Sequence, residues 1–103
     1  MIDDDRDLYS GMIRLHILHH ADKELIFGAG MAEELAHHGY KISPGTLYPI
    51  LHGLEQRGYL RSSQERYGKS VRRVYGITAS GRRALKKARQ RVRELFGELI
   101  EEK

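Results

Sequence analysis

Cysteine and tryptophan are both absent from this chain of 103 residues. Without cysteine the chain can form neither disulfide bonds nor thiolate metal sites, which suits a reducing compartment. No apolar run approaches the roughly 20 residues that a membrane-spanning helix needs. The acidic start at Asp3, Asp4 and Asp5 is the reverse of a basic signal peptide. We therefore expect one small cytoplasmic domain that does not associate with membranes.

The motifs of common enzyme classes are absent too. The sequence contains no nucleophile elbow, no P-loop, no dinucleotide-binding glycine pattern and no HExxH zinc motif. We therefore expect a protein that is not an enzyme and that requires no cofactor.

The six histidines raise the question of a metal site. His16 and His20 are four residues apart on a predicted helix, beside His19, and such a pair can bind Zn²⁺ or Ni²⁺. His37 and His38 could add ligands, but the sequence fixes no third ligand. We therefore predict no metal site and leave open whether the cluster binds metal. The alternative is a set of polar surface or interface residues, including a pH-dependent interface, because histidine titrates near neutrality.

Positive charge is concentrated in one part of the sequence. The net charge is +4, but residues 1–56 carry four Lys or Arg against nine Asp or Glu. Residues 57–93 carry thirteen Lys or Arg and a single acid, Glu65. Such a basic block favours contact with a polyanion such as nucleic acid, although a solvated basic helix gives the same pattern.

Apolar spacing predicts three helices in the first half of the chain. The first covers residues 7–20, and its apolar stripe is broad enough for burial on two sides. That stripe contains Leu8, Met12, Leu15 and Leu18, and it is widened by Tyr9, Ile13 and Ile17. The second covers about 30–38 and ends at Gly39, a residue suited to a left-handed cap. The third begins after Ser43, whose side chain can cap it, and ends at Gly58.

A β-hairpin and a long helix follow. Residues 59–65 and 72–77 have the composition of two strands, joined by a loop over residues 66–71. Thr78 is a suitable N-cap for a last helix that runs to about residue 101.

This order of elements predicts a mainly α fold with a small β-hairpin (α+β), a winged helix-turn-helix. We expect residues 1–78 to form a DNA-binding domain and residues 79–103 to form a C-terminal dimerisation helix in the same compact unit. The last helix repeats its apolar residues at alternating spacings of four and three: Gly81, Leu85, Ala88, Val92, Leu95 and Leu99. A seam of nearly three heptads needs a partner helix. We therefore predict a homodimer whose interface uses this seam from Leu85 onward, together with Leu8 and Met12.

The third predicted helix is the candidate for reading DNA. Its buried stripe contains Leu47, Ile50, Leu51 and Leu54, which leaves the opposite face free to enter a major groove. The basic hairpin beside it can reach phosphates. The predicted DNA contacts are Ser43, Thr46, Tyr48, His52, Arg66, Lys69, Arg72 and Arg73. In the alternative reading, the same surfaces belong to a protein-interaction module that binds an acidic protein partner.

Residues 43–51, SPGTLYPIL, continue to Leu54 and Glu55 and then to residues 58–60, GYL. This run resembles the recognition helix of PadR-family regulators. Residues 73–78, RVYGIT, resemble the second wing strand of that family. The resemblance extends over about residues 8–95. It implies a dimeric winged helix-turn-helix, usually a repressor, of the short subgroup with a single C-terminal helix.

The resemblance also implies roles for particular residues. It assigns DNA contacts to Ser43, Thr46 and Tyr48 on the recognition helix and to Lys69 and Arg72 in the wing. The expected partner is double-stranded DNA with a pseudo-palindromic operator. The family often has Gly-Tyr at the start of the second helix, where this chain has Gly28 and Ala29, so a tyrosine contact there does not carry over. Some relatives hold flat aromatic drugs between tryptophans, and this chain has none. A small-molecule effector is therefore compatible with the family but not identified.

Overall fold

The computed structural model describes residues 5–103. In chain order the elements are α1 (Arg6–Lys23), β1 (Ile26–Phe27), α2 (Gly28–His37), α3 (Pro44–Gln56), β2 (Leu60–Tyr67), β3 (Ser70–Ile77) and α4 (Ala79–Leu99). The predicted class, mainly α with a small sheet in a winged helix-turn-helix order, is confirmed. Asp3 and Asp4 of the acidic start lie outside the described residues. No helix within residues 5–103 is long and apolar enough to cross a membrane.

The core lies where the helices converge on one face of the sheet. Every helix and all three strands contribute to it, with Ile17, Leu35 and Leu51 fully buried. The α1 residues in this core include Ile13, Ile17 and Leu18, whereas Leu8 is 72% exposed. Within one chain α1 is therefore buried on one side only. Of the predicted stripe, Leu8 and Met12 face away from the core, whereas Leu15 and Leu18 pack in or against it.

The sheet contains one strand that the sequence did not predict. Its order is β1-β3-β2, with both pairings antiparallel. In β1, Ile26 lies opposite Tyr75 and Phe27 lies opposite Val74. A strand of two residues is too short for an alternating pattern to be visible. Its consequence is that the connection between α1 and α2 is hydrogen-bonded to the middle strand of the sheet.

The loop predicted over residues 66–71 is wrong in length. The strands continue until Tyr67 lies opposite Ser70, so that only Gly68 and Lys69 form the turn. Gly68 has φ +62°, the left-handed conformation that tight hairpin turns require. Polar strand ends that project into solvent carry no apolar alternation, and composition alone makes them look like a loop.

The predicted helix ends are mostly confirmed. Gly39 and Gly58 both have left-handed φ values, +90° and +82°, just after α2 and α3. The side-chain oxygen of Thr78 accepts a 2.9 Å hydrogen bond from the backbone N–H of Gly81, which caps α4. Ser43 does occupy the N-cap position of α3, but its side chain makes no capping hydrogen bond. Its hydroxyl donates instead to the hydroxyl of Thr46, at 3.3 Å.

Candidate nucleic-acid interface

Helix α3 presents an outward face because its inward face is fixed by burial. Leu47, Leu51 and Leu54 are buried against the core, and His52 on the far side is exposed. A helix has 3.6 residues per turn, so Tyr48 and Thr46 fall on opposite flanks of α3. The predicted contacts on α3 therefore occupy an arc around the outward face.

Tyr48 lies on the flank that faces α2. A Cβ placed on Gly28 would come within 2.7 Å of Cζ of Tyr48, so the ring packs directly over this glycine. The tyrosine nevertheless remains 48% exposed. Gly28 thus makes room for the aromatic ring that holds the two helices of the helix-turn-helix together. The signal for this contact was the glycine at the start of α2, which the sequence reasoning noted only as part of a family pattern.

Thr46 lies on the other flank, toward α1. It lines a small cavity with Asp7, Ser10 and Arg14 of that helix. Its position in the first turn of α3, next to the exposed Ser43, still places it at the positive end of the helix dipole, which favours phosphate; its own N–H donates to the carbonyl of Ser43 at 3.0 Å.

A hydrogen-bond network joins the end of α3 to the wing, which is the hairpin formed by β2 and β3. One carboxylate oxygen of Glu55 accepts hydrogen bonds from the backbone N–H of Ser62 at 3.2 Å and from its hydroxyl at 2.6 Å. Nη1 of Arg73 donates to the same hydroxyl at 3.3 Å. The hydrogen bonds from Ser62 lower the pKa of Glu55, against the opposing effect of burial. The sequence assigned no role to Glu55. Its contact with Ser62, seven residues later in β2, has no signal in the sequence.

Arg72 and Arg73 are adjacent in β3 and therefore point to opposite faces of the sheet. Arg73 lies on the α3 side, whereas the guanidinium of Arg72 lies between two aromatic rings on the other side. Its central carbon is 3.8 Å from the ring centre of Phe27 and 4.2 Å from that of Tyr67. Glu65, directly across the hairpin, is 3.6 Å from the guanidinium.

This arrangement separates Arg72 from the other predicted wing contacts. Its side chain is partly buried, and its Nε makes no hydrogen bond within the described part of the chain. Arg66 and Lys69 are exposed at the end of the hairpin, and Arg66 lies on the same face of the sheet as Arg73. The face that adjoins α3 thus carries Arg66 and Arg73, with Lys69 at the tip.

Known proteins are similar to this chain in both sequence and fold. The family model described as "Transcriptional regulator PadR-like family" matches residues 17–87. The chain belongs to the PadR-like family of transcriptional regulators. The resemblance seen in residues 43–60 is thereby confirmed, and so is the expectation that the chain is not an enzyme, since PadR-like proteins are transcriptional regulators.

Individual regulators match over most of the chain. Transcriptional regulator Rv3488 of Mycobacterium tuberculosis is 46% identical over 95 residues, which is 92% of this chain and 89% of that protein. A PadR-family regulator from Eggerthella lenta is 30% identical, with a TM-score of 0.76 over 86% of this chain and 79% of that one. A transcriptional regulator from Clostridium thermocellum is 25% identical, with a TM-score of 0.78 over 93% and 96% of the two chains.

A second surface of this PadR-like chain is apolar and lies away from α3. Helices α1 and α4 border a cleft of about 430 Å³ whose surface is mainly apolar, with His16, His19, Arg89 and Arg93 as its polar lining residues. From Val92, which lines the cleft at 48% exposure, α4 extends with its apolar residues uncovered as far as Leu99 at 69%.

The predicted seam residues divide between the core and this surface. Leu85 is only 4% exposed and belongs to the core of its own chain, so its assignment to a dimer interface needs correction. Gly81 is buried as well, close against the backbone carbonyl of Tyr59. The uncovered part of the seam begins at Ala88, because the first two turns of α4 already pack on the winged-helix core.

Proposed function

We propose that this chain is a dimeric repressor that binds a pseudo-palindromic operator in double-stranded DNA through α3 and the wing. The observation that carries the proposal is the outward face of α3 standing next to a basic hairpin. The buried leucines fix the orientation of α3, and the Glu55–Ser62 hydrogen bonds fix the wing beside it. A major groove admits one helix, and the adjacent phosphates are within reach of a basic strand pair.

The positions of the side chains support a particular set of contacts. Tyr48 and His52 approach the groove from α3, and Ser43 and Thr46 approach a phosphate at its N-terminus. In the wing, phosphates are neutralised by Arg66, Lys69 and Arg73. Arg72 acts indirectly in this scheme, because its guanidinium between Phe27 and Tyr67 stiffens the hairpin.

A second copy of the chain is the proposed cover for the apolar surface of α4. The exposed side chains continue along one side of the helix as Val92, Leu95, Phe96, Leu99 and Ile100, and Leu8 and Met12 of α1 are exposed too. A contiguous exposed apolar surface of this kind marks an interface. Pairing about a two-fold axis would place two α3 helices roughly 34 Å apart, on successive turns of one face of the duplex.

Repression then follows from occlusion of a promoter, in the cytoplasm where such a regulator meets its DNA. An effector would act by shifting the population of dimers whose two α3 helices have the operator spacing.

The test is fluorescence anisotropy with the promoter region of the protein's own gene, titrated with salt, against random DNA of equal length. The unmodified chain should prefer the promoter, and log K should fall steeply with log salt. Lys69→Ala should weaken binding to both DNAs and reduce the salt slope by about one. Lys103→Ala, at the far end of the chain, is the matched control and should leave the slope unchanged. No binding even at low salt would refute the proposal and favour an acidic protein partner.

A further inference from the structure

Helices α1 and α2 bring three histidines together where the two helices pack against each other. His16 and His20 are one turn apart on α1, and His38 stands at the end of α2. The three residues offer ring nitrogens that all lie within 4.8 Å of one another. The rings of His16 and His38 are stacked, with centres 4.4 Å apart and planes at 26°.

A carboxylate completes the group. Glu34 lies one turn before His38 on α2, and one of its oxygens is 3.2 Å from Nε2 of His38 and 3.6 Å from Nε2 of His20. Two residues from α1 and two from α2 thus come together in i, i+4 pairs, with Glu34 in contact with His20 and His38. Sequence spacing showed only the α1 pair, because the contribution of α2 depends on how the two helices pack.

We propose that His16, His20, His38 and Glu34 bind a divalent transition-metal ion of the zinc class. Three imidazole nitrogens and one carboxylate oxygen are a common tetrahedral donor set for Zn²⁺. With metal–ligand distances of about 2.0–2.1 Å, neighbouring donor atoms in a tetrahedron stand about 3.3 Å apart. The two distances from Glu34 are already close to that value. The histidine nitrogens reach it by small rotations, which partly exposed side chains can make.

The donor set also selects among metals. Imidazole nitrogen suits Zn²⁺, Ni²⁺ and Co²⁺, whereas Mg²⁺ and Ca²⁺ prefer sites made of oxygen. The chain has no cysteine, so thiolate-dependent metals such as Cu(I) find no soft ligand here.

The position of the site gives it a regulatory consequence, which rests on the proposed function. The metal would tie α1 to α2, and α1 lines the apolar cleft with α4 while α2 packs on α3. His16 belongs to both the histidine cluster and the wall of that cleft. Metal binding would therefore favour one arrangement of the dimer surface relative to the DNA-reading helix.

The test is a competition titration of the metal-free chain with Zn²⁺ against a chromophoric chelator. We expect one zinc ion per chain. Substituting one ligand, in His16→Ala, His20→Ala or His38→Ala, should weaken binding by at least about 100-fold, since even the loss of an outer-shell partner costs 10–100-fold. Glu34→Gln keeps a hydrogen-bonding group but loses the anionic oxygen, and should weaken binding by about tenfold or more.

His19→Ala and His37→Ala are the matched controls, because each removes a histidine adjacent in sequence to a proposed ligand. Both should leave the zinc affinity unchanged. Circular dichroism checks that every variant is folded, and the visible absorption of the Co²⁺ complex gives an independent sign of four-coordinate binding. The proposal is overturned by the absence of a 1:1 complex, by equal weakening in the controls, or by an unchanged affinity in His38→Ala, which would reduce the site to an exposed pair on α1.

Zinc binding and DNA binding are measured separately, so the two proposals can fail separately. Anisotropy with and without Zn²⁺ should differ for the unmodified chain and not for His16→Ala. A chain that binds zinc in the titration but never binds DNA would leave the metal site standing and refute the repressor.

Discussion

Val92→Glu places a charge in the middle of the uncovered apolar side of α4. Val92 is 48% exposed in the single chain, so about half of its burial remains to be gained in a dimer. Full burial of such a side chain is worth about 1.5–3 kcal/mol, so each copy gives up about 1 kcal/mol. A carboxylate taken out of water adds a further penalty of several kcal/mol per ion.

The two copies together lose at least about 5 kcal/mol by these magnitudes. Because every 1.4 kcal/mol is tenfold in an equilibrium constant, the dimer should dissociate at concentrations higher by roughly 10³–10⁴-fold. Sedimentation equilibrium or light scattering should then report the 11.9 kDa monomer where the unmodified chain gives twice that mass.

Gln90→Glu is the matched control for this change. It adds the same charge to α4 on the other side of the helix, since the two positions are about 200° apart around the axis. Each new glutamate also follows a basic residue by three positions, Lys87 or Arg89, so the effects on the isolated helix are similar. The reasoning is refuted if Val92→Glu stays dimeric, if Gln90→Glu dissociates equally, or if the unmodified chain is already a monomer.

Four further changes test how the single chain is held together. Gly81→Ala forces a Cβ against the carbonyl of Tyr59 and should lower the free energy of unfolding by about 1–3 kcal/mol in urea. Gly53→Ala, in a helix with open space at that position, should raise it by about 0.5–1 kcal/mol, and the same sign for both glycines would contradict this reasoning. Arg72→Ala removes the cation from between two rings and should lower the free energy of unfolding by about 1–2 kcal/mol. It should also change the salt slope of DNA binding less than Lys69→Ala does. The pKa of Glu55 is lowered in the folded chain, so its stabilising contribution is present above pH 4.5 and is lost as the pH falls below that value. Glu55→Gln should flatten this acid limb of a pH–stability curve measured by thermal unfolding, and an unchanged limb would exclude the carboxylate as its source.

The prediction of the helices from sequence worked because each helix carries strong local signals. Gly39 and Gly58 end α2 and α3, and Thr78 caps α4, as capping chemistry requires. Periodicity also identified the apolar side of α4. It could not tell that Leu85 is covered by its own chain while Val92 is not, because that depends on where the helix leaves the core.

In the candidate site, too, the sequence did not reveal which residues of different elements come into contact. The sequence predicts basic residues in the wing and groups Arg72 with Arg73 as DNA contacts. Adjacent residues of a strand point to opposite faces of the sheet, so these two arginines cannot share one surface. The contacts of Glu55 with Ser62 and of Tyr48 with Gly28 join separate elements. No spacing rule within one element reveals such contacts, and the convergence of Glu34 and His38 on the α1 histidines belongs to the same class.

The pairing of β1 with β3 has a mechanical consequence. The segment between α1 and α2 is hydrogen-bonded to β3, the central strand of the sheet. The wing is hydrogen-bonded in turn to Glu55 at the end of α3. The parts of the chain proposed to meet DNA therefore form one stiff body that cannot adjust its groove contacts and its backbone contacts separately. In a dimer of such bodies, the quantity left free to vary is the angle between the two halves. An operator would then be discriminated by the length of its spacer as strictly as by its base sequence, because one added base pair both translates and rotates the second half-site.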